Sequence, residues 1–117
     1  MNLPREEENT FIKQWKHIAT VVHNVAKSKG WWSGNRNDGE LLMLIVSELS
    51  EALEGLRHNN PPSEHIKEFS AAEEELADVV IRVMDMAKAR NWRVGEAIMA
   101  KIQFNSGREY MHDGKKF

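Results

Sequence analysis

A chain of 117 residues is long enough for one compact domain and too short for two ordinary ones. Its apolar fraction of 41% and charged fraction of 29% indicate a folded domain with a solvated surface, and its formal charge of -2 provides no general attraction to nucleic acid. The absence of cysteine excludes disulfides, thiolate zinc sites and a cysteine nucleophile, and it favours a reducing compartment.

The N-terminal segment MNLPREEENT lacks the apolar core of a signal peptide, and no stretch of the chain approaches the length that spans a bilayer. We therefore expect a cytoplasmic protein with no membrane partner and no nucleic-acid partner. After Pro4, apolar residues recur at steps of three and four from Phe11 to Val25, which predicts an amphipathic helix that ends near Gly30. Three glutamates at positions 6 to 8 suit its first turn electrostatically.

A polar loop, WWSGNRNDG, follows this helix and carries two adjacent tryptophans. The next helix is predicted to begin at about Asp38 or Glu40, where Asn37 or Asp38 can cap it. It runs to Arg57, because the segment HNNPPS cannot continue a helix.

A third helix is predicted to begin near Ser63 or, more firmly, at Ser70, where S-A-A-E has the spacing of a capping box. It continues to about Arg90. A fourth helix covers RVGEAIMAKIQFNSG, and the segment from about residue 109 to 117 lacks periodicity and is predicted to be a tail.

The predicted fold class is therefore all-α, a four-helix bundle with antiparallel neighbours, because no β-alternation is present and the links are short. On the third helix the apolar positions cover an arc much wider than the about 100° that one buried face requires. Such a helix has to be covered on two sides, which suggests that a second subunit completes the core.

Two pairs of acids follow the apolar segments of the second and third helices. Glu48 and Glu51 lie one turn apart after LLMLIV, and Glu75 and Asp78 repeat that spacing, with Arg82 on the same stripe. A single pair of this kind is usually solvated surface, and Glu75 with Arg82 would form a plain ion pair. Two pairs on neighbouring helices can face each other, however, and four converging carboxylates repel strongly unless cations neutralise them. Mg²⁺ or Mn²⁺ on such a platform could activate a water and polarise a phosphoryl group.

The order E-x-x-E at 48 to 51, a spacer of 23 residues and E-x-x-D at 75 to 78 resembles the signature of the MazG-like, all-α nucleoside triphosphate pyrophosphatases. The contexts ELLMLIVSELSEALEGLR and EEELADVVIRVMDMA, and the later K-x-x-x-N of Lys101 and Asn105, extend the resemblance from about Lys29 to Arg108. It implies a single MazG-like domain over residues 1–117, whose core is completed by assembly into a homodimer or homotetramer.

The resemblance implies hydrolysis of a ribo- or deoxyribonucleoside triphosphate to the monophosphate and pyrophosphate, with two or more Mg²⁺ or Mn²⁺ ions per site. Four acids match the metal ligands of the family: Glu48, Glu51, Glu75 and Asp78. We expect Glu51 also to orient or deprotonate the attacking water. Short chains like this one occur in bacteria and phages, and some related phage enzymes prefer guanine nucleotides, so a purine preference is one expectation. The biological role is left open between pool cleansing, stress response and a phage pathway.

A triphosphate carries about four negative charges, so positive side chains have to reach it in an acidic pocket. The candidates for phosphate binding are Lys101, Asn105, Arg108 and Lys29. For the base we consider Trp31 and Trp32, because aromatic faces stack on nucleobases. A lysine is equally well explained as solvated surface, and the two tryptophans could instead plug the end of the bundle.

Three functions from other classes are weighed against this interpretation. A di-iron bundle needs Glu-x-x-His on two helices, and only Glu109 to His112 has that spacing. A helix-turn-helix DNA binder is disfavoured by the acidic balance. A non-catalytic helical interaction module, dimeric and independent of divalent ions, is the stronger alternative.

Overall fold

The computed structural model describes residues 3–107, which form four helices and no strand apart from one isolated bridge between Pro62 and Ser70. The predicted all-α class is confirmed. In chain order the helices are α1 (Arg5–Ser28), α2 (Asp38–Arg57), α3 (Ala71–Arg90) and α4 (Val94–Ser106). The predicted tail from about residue 109 lies outside the described residues. No helix in the described part of the chain is long and apolar enough to cross a bilayer.

The helix starts follow the capping residues that the sequence predicts. The side chain of Asn37 accepts a hydrogen bond from the Glu40 amide at the start of α2. At the start of α3, Ser70 and Glu73 form a reciprocal capping box. Helix α3 therefore begins after Ser70, and the earlier alternative near Ser63 is wrong, because Ser63 lies in the loop between α2 and α3.

The first three helices each end in a left-handed residue: Gly30 (φ 86°), Asn59 (φ 66°) and Asn91 (φ 58°). After each of them the next amide bonds back to a carbonyl in the last turn, as Trp31 N does to Ala26 O at 3.1 Å. Glycine and asparagine are the residues that adopt this conformation at the lowest cost. The chain thus leaves each helix sharply, which places the paired tryptophans directly beside the end of α1.

Helix α3 lies between α1 and α2 and packs against both, whereas α4 packs against α1. Its own chain therefore covers part of the wide apolar arc of α3, but Leu76 and Val80 on this arc stay exposed. The buried apolar residues are small or flexible for the most part, and they are Ala19, Leu41, Ala52, Ala72, Met86, Ala87 and Met99.

Many large apolar side chains remain exposed. On α2 five of them form a row along one side of the helix, and the row consists of Leu42, Val46, Leu49, Leu53 and Leu56. We call this row the α2 outer seam. Its alternating steps of four and three are those by which two helices pack along a common seam.

Candidate metal centre

Three of the four predicted metal ligands converge where α2 packs against α3. Glu48 lies on α2, and Glu75 and Asp78 lie one turn apart on α3. One ligand oxygen from each of the three lies within 4.8 Å of the others, and all three residues are half-buried. We call this group the acid cluster. Carboxylate oxygens this close together can serve as the hard ligands of a divalent cation.

The carboxyl groups of the acid cluster repel one another when they are ionised. The hydrogen bond between Glu75 and Glu48 raises the pKa of Glu75 to about 7, and burial and the charges of Glu48 and Asp78 act in the same direction. Burial, with the charge of Glu48 next, also raises the pKa of Asp78, which the nearby Arg82 only partly opposes. Two carboxyl groups that share a hydrogen bond have to share a proton, so near neutral pH this site exchanges a proton for any cation it binds.

Arg82 is the cation that contacts the acid cluster directly. Its Nη2 and Nε lie 3.0 and 3.1 Å from Oε1 of Glu48. The sequence suggested an ion pair of Arg82 with Glu75, but the structure pairs it with Glu48 across the helix interface. Its guanidinium carbon also lies 5.0 Å from the ring centroid of Trp31, a distance at which a cation and an indole attract.

Glu51, the fourth predicted ligand, follows Glu48 by one turn on α2 and is exposed. It is not a member of the acid cluster, which is the one group of three or more potential ligands found within residues 3–107. Three of the four acids that the sequence predicts as ligands therefore converge, and Glu51 is exposed one turn further along α2.

A hollow of about 250 Å³ lies beside the acid cluster, and two other predicted residues line it. Lys29 and Trp31 border this hollow together with Glu48, Asp78 and Arg82. They come from the end of α1 and from the loop after it. The structure therefore brings together a candidate phosphate ligand, a candidate base-stacking ring and two of the acids.

Trp32 has a different role from its neighbour. Its Nε1 donates to Oδ1 and Oδ2 of Asp85 at 3.0 and 3.1 Å, and Nδ1 of His23 lies 2.7 Å from the same Oδ1. All three side chains are half-buried. Trp32 thus ties the loop to α1 and α3, and this geometry favours the interpretation of Trp32 as a structural plug, one of the two that the sequence left open.

Lys101 and Asn105 lie on α4, away from the acid cluster of the same chain. Helix α4 packs near the N-terminal end of α1, where Met99 and Ile102 border a crevice with Glu8. Lys29, which does border the hollow beside the acids, follows Glu8 by 21 residues, about 31 Å along a helix axis. Nζ of Lys101 lies 4.5 Å from the ring centroid of Phe104. Arg108 lies outside the described residues.

Sequence reasoning overlooked the contacts of Arg82, Asp85 and His23. Arg82 and Asp85 follow Asp78 at helical spacing, so their position on the same stripe was visible. The contact of His23 with Asp85 was not visible, because 62 residues separate the two in the sequence.

The chain was compared with protein-family models, with curated proteins and with solved structures, and it matches none of them.

Proposed function

We propose that the protein is a divalent-metal-dependent nucleotide pyrophosphohydrolase, which converts a ribo- or deoxyribonucleoside triphosphate to the monophosphate and pyrophosphate. The observation that carries this proposal is the convergence of Glu48, Glu75 and Asp78 within 4.8 Å at a helix interface. The sequence resemblance to MazG-like pyrophosphatases supports the same conclusion, since these three acids occupy motif positions.

The negative charges of the acid cluster favour a bound cation there. Without one, Glu75 retains a proton to about pH 7, because it faces Glu48 and Asp78 in a half-buried site. Mg²⁺ or Mn²⁺ would replace this proton and use the three carboxylates as ligands. When bound, such ions polarise a phosphoryl group and activate a water.

The residues around the acid cluster would supply the proton acceptor and the positive charges that the reaction also needs. Glu51 lies on the solvent side along α2, where it can accept a proton from a water that attacks the α-phosphorus. The bond between the α-phosphorus and the bridging oxygen breaks, and pyrophosphate leaves with that oxygen. Lys29 and Arg82 border the hollow and can hold the negative oxygens of the triphosphate.

Trp31 supplies an aromatic surface for the base. The guanidinium carbons of Arg36 and Arg82 lie 5.3 and 5.0 Å from its ring centroid, and the residue is exposed by 42%. An indole held by two cations loses little conformational freedom when a base stacks on it. This arrangement recognises aromatic bases in general, so it supports no choice between guanine and the others.

Pyrophosphate release from the eight common ribo- and deoxyribonucleoside triphosphates tests the proposal, with Mg²⁺, with Mn²⁺ and with chelator. We expect metal-dependent release of pyrophosphate and the matching monophosphate in equal amounts. Release of inorganic phosphate and a diphosphate instead would overturn the assignment of the cleaved bond, and absence of any product across the panel would overturn the proposal.

The exposed apolar surface favours a second candidate, a non-catalytic helical interaction module. The α2 outer seam leaves Leu49 and Leu53 exposed by 46% and 49%, which is more than a solitary domain usually tolerates in one row. This candidate predicts no turnover and no effect of divalent ions on partner binding. The same panel therefore separates the two functions.

A further inference from the structure

A second hollow, of about 350 Å³, lies where the middle of α1, the end of α3 and the start of α4 meet. Its walls include two tryptophans, three basic residues and one acid, which are Trp15, Trp92, Lys16, Lys88, Arg93 and Glu96. Its volume is at the lower end of the range for small-molecule sites, about 300–1,000 Å³.

The two indoles are positioned by the backbone around them. Asn91 ends α3 in the left-handed conformation, and the following amide of Trp92 donates to Ala87 O at 2.9 Å, which leaves the Trp92 side chain half-exposed at the mouth. On the other wall, Trp15 lies so close to Gly95 that a Cβ there would be 2.8 Å from its Cδ1. The hollow therefore offers aromatic surface next to small residues, a shape that suits a flat ring.

The charge at the rim is positive, since three basic side chains stand against one acid. Nζ of Lys16 pairs with Oε2 of Glu96 at 3.3 Å. Within residues 3–107, Lys88 and Arg93 form no ion pair, although Arg93 lies near enough to Glu96 to help lower the pKa of that carboxyl, behind the larger effects of its own backbone amide and Lys16. Two cations are thus available for an anion beside the indoles.

We propose that this hollow binds a nucleoside monophosphate, with the base against the indoles and the phosphate against Lys88 and Arg93. A neutral aromatic compound would leave the cations without partners, and inorganic phosphate would leave the indoles unused. Lys88 follows Asp78 by ten residues, about 15 Å along α3, so this site is separate from the acid cluster. The inference does not depend on the proposed function, because it needs neither a metal nor turnover.

Calorimetric titration with AMP in the presence of chelator tests the site on the full chain. We expect AMP to bind, and adenosine and inorganic phosphate each to bind at least tenfold more weakly. Removing the ring in Trp92→Ala weakens AMP binding about tenfold or more, as expected for one stacked base. Removing the charge in Lys88→Ala weakens it several-fold and reduces the dependence on salt. Circular dichroism checks that both variants keep the helical content of the wild type.

Two matched controls separate this site from the rest of the surface. Phe69→Ala removes an exposed aromatic ring of the loop before α3, and Lys67→Ala removes an exposed lysine of the same loop; both should bind AMP as the wild type does. The proposal is overturned when AMP fails to bind at millimolar concentration, when Trp92→Ala binds it unchanged, or when Trp31→Ala, which alters the hollow beside the acid cluster, is the variant that loses it.

Discussion

At the residue scale, Asp78 and Glu51 are both predicted metal ligands, yet they lie in different surroundings. Asp78 belongs to the acid cluster, whereas Glu51 is exposed one turn along α2. We expect Asp78→Asn to lose more than about tenfold in Mn²⁺ affinity together with turnover, because it removes one of three ligand charges. Glu51→Gln should lose turnover while it retains Mn²⁺ binding. Mn²⁺ titration and pyrophosphate release, run on each variant, measure the two effects separately.

The control for both variants is Glu54→Gln. Glu54 is an exposed acid of the same helix that pairs with Arg57 at 3.2 Å and lies outside the acid cluster. Its substitution should change neither quantity. If Glu51→Gln hydrolyses nucleotides at the wild-type rate, Glu51 is not the water-activating group, and if Asp78→Asn binds Mn²⁺ normally, the ions bind elsewhere.

The proton on Glu75 predicts a pH dependence of stability. The pKa of Glu75 is about 7 in the folded chain and near its ordinary value of 4.5 in the unfolded one. Between these two values the folded state binds more protons, so the free energy of unfolding falls as the pH rises through this window. In chelator we expect the melting temperature to decline from about pH 5 to about pH 7, and Glu75→Gln to flatten the decline.

Saturating Mg²⁺ or Mn²⁺ should reverse this trend, because a cation binds the ionised cluster better than the protonated one. Thermal melts over the same pH range, with and without metal, check both statements. A melting temperature that is independent of pH in chelator, or a Glu75→Gln variant that keeps the full slope, would contradict the assignment of the shared proton.

At the scale of elements, helix boundaries could be predicted because capping is local. Ser70 with Glu73, and Asn37 with the amide of Glu40, involve residues three apart, so the pattern is visible in the sequence. The alternative start near Ser63 has a local signal too, because the Ser63 hydroxyl accepts hydrogen bonds from the amides of His65 and Ile66, but only a short turn follows before Ser70.

The part of the candidate site that could be predicted from the sequence is the part that lies at the interface of α2 and α3. Glu48 and Asp78 meet because α2 and α3 are consecutive in the chain and pack against each other, as sequential helices commonly do. The position of Lys101 depends on where α4 packs, and the sequence carries no signal for its choice of α1 over the other helices. The assignment of Lys101 to phosphate binding stays a prediction.

Gly95 tests the packing of α4 against α1. Alanine is the better helix former by up to about 1 kcal/mol, less within the first turn. A Cβ at Gly95, however, would lie 2.8 Å from Cδ1 of Trp15, and relieving such an overlap costs about 1–3 kcal/mol. We therefore expect Gly95→Ala to destabilise the protein by about 1 kcal/mol in urea denaturation. Gly34→Ala, where no atom lies within 4 Å, should change stability little. A Gly95→Ala variant more stable than the wild type would contradict this packing.

At the scale of the whole molecule, the chain is less compact than a solitary domain of its length. Its radius of gyration is 16.7 Å, against about 13 Å expected for a compact domain of this size. No large side chain is fully buried within the described residues. Both observations are expected of a chain that shares its core with a second copy, and we predict that the second copy covers the α2 outer seam.

We expect the wild type to sediment as a homodimer or homotetramer at micromolar concentration. Leu53→Glu places a charge in the middle of the α2 outer seam, where the side chain is exposed by 49% in the single chain. It should raise the dissociation constant at least tenfold in analytical ultracentrifugation. Lys67→Glu, which changes the charge of an exposed loop, is the control. A wild-type chain that sediments as a monomer at every concentration would contradict the assembly.

The most direct test of the account as a whole is a crystal structure of the protein with Mn²⁺, in which anomalous scattering locates the ions. The acid cluster predicts at least one anomalous peak that is coordinated by carboxylate oxygens of Glu48, Glu75 and Asp78, with Arg82 still beside Glu48 or moved towards the hollow. Ions bound only at other carboxylates, or a crystal saturated with Mn²⁺ whose acid cluster holds none, would contradict the central claim.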